Sequence, residues 1–184
     1  MLNSLITGLR IAVASMVVCV GGYAGIVWAV GQTVTPFTAN GSILTDGAGQ
    51  VIGSRQIAQA FTRPEYVWPR PSAVDYDGAG AGGSNWSPTS QMVHDRGVAM
   101  VAAYGATAEN PLPADLATAS GAGLDPHISE AGALYQVARV AEARGVPVQQ
   151  VEALIRDHAR SPGAFLTGDR IVNVLDLNLA LDDM

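Results

Sequence analysis

The sequence predicts an α+β protein: one N-terminal transmembrane helix followed by a single extracytoplasmic domain with about three helices and a small sheet. Three observations carry that expectation. Residues 11 to 30 form an uncharged apolar run directly after Arg10, and twenty residues at 1.5 Å of rise make a helix of roughly 30 Å, one hydrocarbon thickness. The roughly 150 residues beyond it are an ordinary size for one domain with a single core. Within them, apolar residues at helical spacing are separated by Gly- and Pro-rich loops, and the tail alternates apolar and polar positions.

Charge asymmetry orients the span. Arg10 and the free amine precede it, while Gly31 to Ser54 holds no basic residue, so the positive-inside bias keeps the N-terminus cytoplasmic. The expected organisation is a cytoplasmic N-terminus at 1–10, a transmembrane helix at 11–30 and an extracytoplasmic domain at 31–184. Val27 and Ala29 stand at the spacing of a leader-peptide cleavage site, but the run exceeds an ordinary leader core and Leu5, Ile6 and Leu9 extend it backwards. Span length favours retention. Gly21, Gly22 and Gly25 are small enough for close approach of a neighbouring helix, though Gly is also common in spans generally. The single cysteine, Cys19, lies inside the span, so the domain is held by burial rather than by disulfides.

After the span, Ser42, Ile43 and Leu44 start a strand and Asp46-Gly47 a turn. Ser54 is placed to cap a short helix through Phe61, ended by Arg63-Pro64. Tyr66 to Pro71 reads as extended or irregular, and Asp75 to Ser90 as a long loop. A helix is expected from Gln91 to Ala106, with Met92, Val93, Met100, Val101 and Tyr104 broadly on one face. A loop from Glu109 to Ile128 leads to Ser129, an N-cap for a helix from Glu130 to Arg144 with the stripe Leu134, Val137, Val140 and Ala141. Gly145 stops that helix, and Pro147 opens another with Val148, Val151, Leu154 and Ile155 as its apolar face. The alternation of Ile171, Leu175, Leu177, Leu179 and Leu181 predicts a half-buried strand. No repeat period of a solenoid or propeller is present.

Composition removes several functions. From Gly31 onward nine Arg oppose sixteen Asp and Glu, a formal charge of −7, which disfavours nucleic acid as a partner. The chain has ten Arg and no Lys, so neither a Walker phosphate loop nor a Schiff-base enzyme is available. Gly78 to Gly83 is therefore a turning loop rather than a nucleotide cradle.

The candidate chemistry is sparse. Ser120, Asp125 and His127 suggest a hydrolase constellation, yet three such residues within eight positions rarely place a base between nucleophile and carboxylate. Ser120 precedes Gly121 but follows Thr118-Ala119, so no Gly-x-Ser-x-Gly elbow exists. His94-Asp95 and His158 have no ligand-like spacing, and no metal site is expected. Asn85-Trp86-Ser87 matches a glycosylation acceptor, which carries no meaning in a bacterial chain. The loops instead combine Gly, Ser, Asn, Pro and isolated aromatics, a composition suited to docking a partner.

Five segments in order complete the reading: Arg70-Pro71-Ser72-Ala73, Gly82-Gly83-Ser84-Asn85, Thr118 to Ser129 (containing Ser120-Gly121, Gly123 and Asp125-Pro126-His127), Gln136 to Ala141, and Val172 to Leu181 with Asn173 and Asn178. After a single N-terminal span, this series resembles the C subunit of the Kdp potassium-transporting ATPase along the whole chain. Trp86-Ser87 stands where the family pattern has Leu-Gly. The resemblance implies a non-catalytic subunit of a bacterial inner-membrane pump, beside a channel-like A subunit, a P-type ATPase B subunit and a small F subunit. It implies no tightly bound cofactor, with ATP and potassium ion handled by the whole complex. The family is also described as a catalytic chaperone that raises the pump's ATP affinity. Because ATP is cytoplasmic, the orientation above makes that effect indirect. Were nucleotide bound directly, Gln136 and Arg139 would be candidates, and their alternative is an exposed helix face. The motif residues are expected to serve partner contact. Rival readings are a membrane-anchored hydrolase using Ser120 and His127, and a periplasmic small-ligand binding module.

Overall fold

The computed structural model describes residues 2–163 and 168–184, so the amine of Met1, counted above with Arg10, lies outside the described residues. The chain divides into two compact units, Met1–Ile43 and Leu44–Met184.

The first unit is mostly helical: residues 11–30 are uncharged, and no Pro stands before Pro36 to break the backbone ladder. Helix α1 (Leu2–Met16) passes through a π-helical segment (Val17–Gly22) into α2 (Tyr23–Val34). The 33-residue helix has no buried residue and is long and apolar enough to cross a membrane. It exceeds the expected 11–30 at both ends. Thr35 leaves the helical region with φ −137°, since the following Pro36 disfavours it there. Pro36 then sits at the first turn of α3 (Pro36–Ala39), where its missing N–H costs nothing.

The second unit begins with a hairpin of β1 (Ile43–Thr45) and β2 (Val51–Ser54). Its turn is fixed by Asp46, whose carboxylate accepts from the N–H of Ala48 (2.9 Å) and of Gln50 (2.8 Å). The helix expected from Ser54 to Phe61 does not form. The Ser54 hydroxyl accepts from Gln56 N–H two residues on, a local turn rather than a cap, and Ala58 N–H donates to Leu124 C=O. Residues 75–90 are the expected long loop.

Helix α4 (Gln91–Tyr104) is capped by Ser90, which accepts from Met92 N–H, and ended by left-handed Gly105 at φ +62°. None of its residues is fully buried, and of its apolar residues Tyr104 packs against the core. The loop from Glu109 to Ile128 holds α5 (Ala114–Ala117) and runs into β3 (His127–Ser129). The single helix expected from Glu130 to Arg144 is two, α6 (Glu130–Tyr135) and α7 (Val137–Arg144), broken at Gln136, whose side chain serves another segment. Helix α8 (Val148–His158) follows Pro147 as anticipated.

The tail is the largest revision. Only β4 (Ile171–Asn173) is a strand, antiparallel to β3 with Ile128 opposite Val172. Helix α9 (Val174–Asp182) then starts because the Asn173 side chain accepts from Asp176 N–H. Its buried residues, Val174, Leu175, Leu177, Asn178 and Leu181, follow the helical i, i+3, i+4, i+7 spacing that leucine alternation had masked. The core lies among α5 to α9 and the β3–β4 pair, with Val67, Leu116, Ile128, Val140, Val151, Ile155, Val172 and Leu177 fully or almost fully buried.

Candidate functional site

Two loops distant in sequence close on one another beside β3, and they contain most of the motif residues. The Gly82 N–H donates to Ala122 C=O (2.8 Å) and Ser120 N–H to Pro71 C=O (3.1 Å). Ser72 Oγ donates to Gly123 C=O (2.7 Å) while accepting from the N–H groups of Val74 and Tyr76. Glycine is required at the contact: a Cβ on Gly83 would stand 2.6 Å from Gly121 O, and one on Gly123, at φ +70°, 2.6 Å from Val74 Cγ2 and 2.8 Å from Gly82 O. Ser84 is half-buried and Asn85 exposed in the left-handed region at φ +52°.

Asp125 is the charged centre of the junction. Its carboxylate accepts from His127 N–H (3.0 Å), faces His127 Nδ1 (3.2 Å) and pairs with Arg70 at 3.4 Å. These groups, His127 foremost and Arg70 last, hold it below the usual carboxylate range against the opposing effect of partial burial. Arg70 also donates to Ala119 C=O (3.3 Å), and its own carbonyl accepts from the Tyr76 hydroxyl (2.8 Å). Pro126 C=O accepts from Val174 N–H, tying the junction to α9. Asn173 lies opposite His127 in the β3–β4 register and donates to Arg55 C=O (2.9 Å).

As chemistry this arrangement is poor. Ser120 is only 3% exposed, and its hydroxyl faces Asp125 N–H at 3.5 Å rather than His127, so it lacks both the access and the base that a nucleophile needs. A cleft of about 680 Å³ opens beside Arg70, Asp125 and His127, and both arginines that line it are already paired, Arg70 with Asp125 and Arg170 with Glu130 at 3.0 Å, with Asp115 and Asp169 as further carboxylates in the lining. Asp115 accepts from Ser129 N–H (2.8 Å), an approach possible because Gly132 has no Cβ to meet its carboxylate. Among the described residues, no three His, Cys, Asp or Glu side chains gather as metal ligands.

A second polar cluster holds the segment from Pro64 to Trp68. Gln136 accepts from Trp68 N–H (2.8 Å) and donates to Trp68 C=O (3.1 Å). Asn178 does the same for Val67, at 2.8 and 2.9 Å. Arg139 donates to the carbonyls of Pro64 and Tyr66 and to Gln136 Oε1, with its guanidinium 3.8 Å from the centre of the Trp68 ring. Arg144 reaches Glu65 C=O, Leu181 C=O and Asp182. Gln136 is 1% exposed and Asn178 1%, so the exposed helix face expected for Gln136 and Arg139 is corrected: both are turned inward on their own chain. Trp68, Arg144 and Asp115 were missed in the sequence, where each sits among neighbours of ordinary composition. The available signal was a lone amide inside an apolar stripe, at Gln136 and Asn178, because a buried amide must find partners.

Residues 5–183 match the family model KdpC, described as K+-transporting ATPase, c chain. The Potassium-transporting ATPase KdpC subunit of Parvibaculum lavamentivorans is 65% identical over 181 residues, covering 98% of this chain and 97% of that protein. Those of Synechocystis sp. (45% over 168 residues, 88% of each chain) and Ralstonia nicotianae (44% over 168 residues, 88% of this chain and 82% of that one) are also similar. With most of its motif residues gathered at one loop junction and a family match running nearly end to end, the chain belongs to the KdpC family, the c chain of K+-transporting ATPases.

Proposed function

We propose that this chain is a non-catalytic subunit of an ATP-driven potassium uptake complex, anchored in the bacterial inner membrane by its single helix, with N-terminus cytoplasmic and domain extracytoplasmic. Its partners are a channel-like A subunit, a P-type B subunit that hydrolyses ATP, and a small F subunit. It binds no cofactor tightly; ATP and potassium belong to the assembly. The observation that carries the reading is the loop junction, where hydroxyls, carboxylates and guanidinium groups hold backbone in shape and leave a surface to dock rather than a group to react. The Arg10 asymmetry supports the orientation.

The domain raises the ATP affinity of the B subunit indirectly, through the span and the partner subunits, because nucleotide lies across the bilayer from it. Engagement of Gln136 and Arg139 with their own backbone supports this. Extraction of the tagged chain in mild detergent should bring down a potassium-stimulated ATPase. A chain recovered alone, labelled at Ser120 by a serine-directed probe, would establish the hydrolase instead.

A further inference from the structure

Helix α4 is an anomaly in a domain with a well-filled core. It carries Met92, Val98 and Val101 at 53%, 55% and 44% exposure and buries nothing. Along the side bearing Met100, Ala103 and Tyr104 runs an apolar cavity of about 230 Å³, closed opposite by Phe61, Trp68 and Tyr76. No charged side chain lines it. It is smaller than the roughly 300 to 1,000 Å³ of a typical small-molecule site, and it continues onto exposed helix, which fits one anchoring side chain of a protein better than a free ligand.

Charge narrows the occupant. Among the described residues beyond the span, Arg96, Arg139 and Arg160 form no ion pair with a carboxylate, whereas the remaining arginines do. One of the three flanks this groove. Arg96 lies one turn before Met100 on the same side of α4, its guanidinium resting on Trp86 at 5.0 Å and its buried Nε without a hydrogen-bond partner. Arg139 stacks on Trp68, which itself meets Tyr104 edge-on at 5.4 Å. Arg139 is engaged by acceptors of its own chain, so the cation left beside the apolar slot is Arg96, which selects a partner bringing its own carboxylate, while the net charge of −7 over the domain disfavours an anionic bilayer.

We infer that this groove docks an extracytoplasmic segment of a partner subunit that presents an apolar anchor side chain with a carboxylate next to it. The inference rests on the functional reading above and names a contact surface within it. It is tested in the full chain co-expressed with its partners, carrying a benzoylphenylalanine crosslinker at exposed Ala103 or, as control, at exposed Ala153 on α8. The Ala103 adduct should map by mass spectrometry to a partner peptide holding Asp or Glu within about one helical turn of an apolar residue. Arg96→Glu should lower its yield roughly tenfold, while Arg96→Lys should retain most of it and both variants melt as the parent. Adducts to lipid, to a second copy of this chain, or to a peptide without a carboxylate would overturn the inference. So would an ATPase that co-purifies with no Ala103 adduct, which leaves the functional reading standing. If the unmodified chain brings down no ATPase, the functional reading falls and this inference with it.

Discussion

At the scale of single residues, stability rests on a few polar side chains doing backbone work in apolar surroundings. Asn178 satisfies both backbone groups of Val67, itself fully buried. Asn178→Ala strands that donor and acceptor at about 1 to 3 kcal/mol each, so urea unfolding should show a loss of about 2 to 6 kcal/mol, against about 0.5 or less for exposed Gln149→Ala. Asp125 predicts a pH dependence. Its carboxyl is depressed in the folded protein by His127 and Arg70, so its contribution is complete above the unfolded value of about 3.9 and is lost as pH falls from there through the lower folded value. Asp125→Asn should therefore flatten the fall in melting temperature across that acid range. An unchanged acid limb would remove Asp125 from the account. A lone amide in an apolar stripe marks Gln136 and Asn178 as groups that need partners, but the sequence does not name those partners, because the carbonyl each one serves lies 68 or more residues away.

At the scale of elements, the turns and caps were legible and the partners of each element were not. Ser90, Ser129, Gly105 and Gly145 end or begin helices as local chemistry dictates. The junction glycines separate local from tertiary demands. Gly105 and Gly123 both have positive φ, but a Cβ at Gly105 meets nothing within 4 Å while one at Gly123 strikes Val74 and Gly82. Gly105→Ala should cost about 1 to 2 kcal/mol, the strain of the left-handed backbone alone. Gly123→Ala should cost clearly more and separate the two loops, read as a lower melting point with faster proteolysis within 70–85. Equal melting points would mean the junction is loose. In the span, Val20 is 63% exposed within the π-helical segment. Val20→Arg should cost about 2.5 to 3.5 kcal/mol of insertion and reduce the yield of membrane-bound complex, leaving the melting of the Leu44–Met184 unit unaltered. Normal yield would show that the helix does not sit in lipid at that depth.

At the scale of the molecule, the proposed role rests on one helix long and apolar enough to cross a membrane and on a domain whose motif residues hold backbone in shape. Protease added to sealed spheroplasts should digest the domain and spare the first residues. Protection until lysis would reverse the orientation. The tail shows why a fold class can be read correctly while its elements are not. Leucines at Leu175, Leu177, Leu179 and Leu181 satisfy a period of two, yet the burial of Val174, Leu175, Leu177, Asn178 and Leu181 satisfies 3.6, and the core to be filled, together with the Asn173 cap, decides between them. Helix α4 differs in the opposite sense: its apolar residues were legible, but only its C-terminal end meets the core, through Tyr104, and none of its residues is fully buried.

By itself the sequence determined the apolar span, the absence of lysine chemistry, the Ser129 cap and the Gly145 stop, and the motif series that marks the family, since each is local or compositional. Only the tertiary structure decided that loops 70–85 and 118–127 form one junction, that Gln136, Arg139 and Asn178 grip the segment from Pro64 to Trp68, and that α4 lies open beside an aromatic groove. Those outcomes depend on contacts between residues tens of positions apart, and such contacts are chosen by packing and by the need to pair buried polar groups.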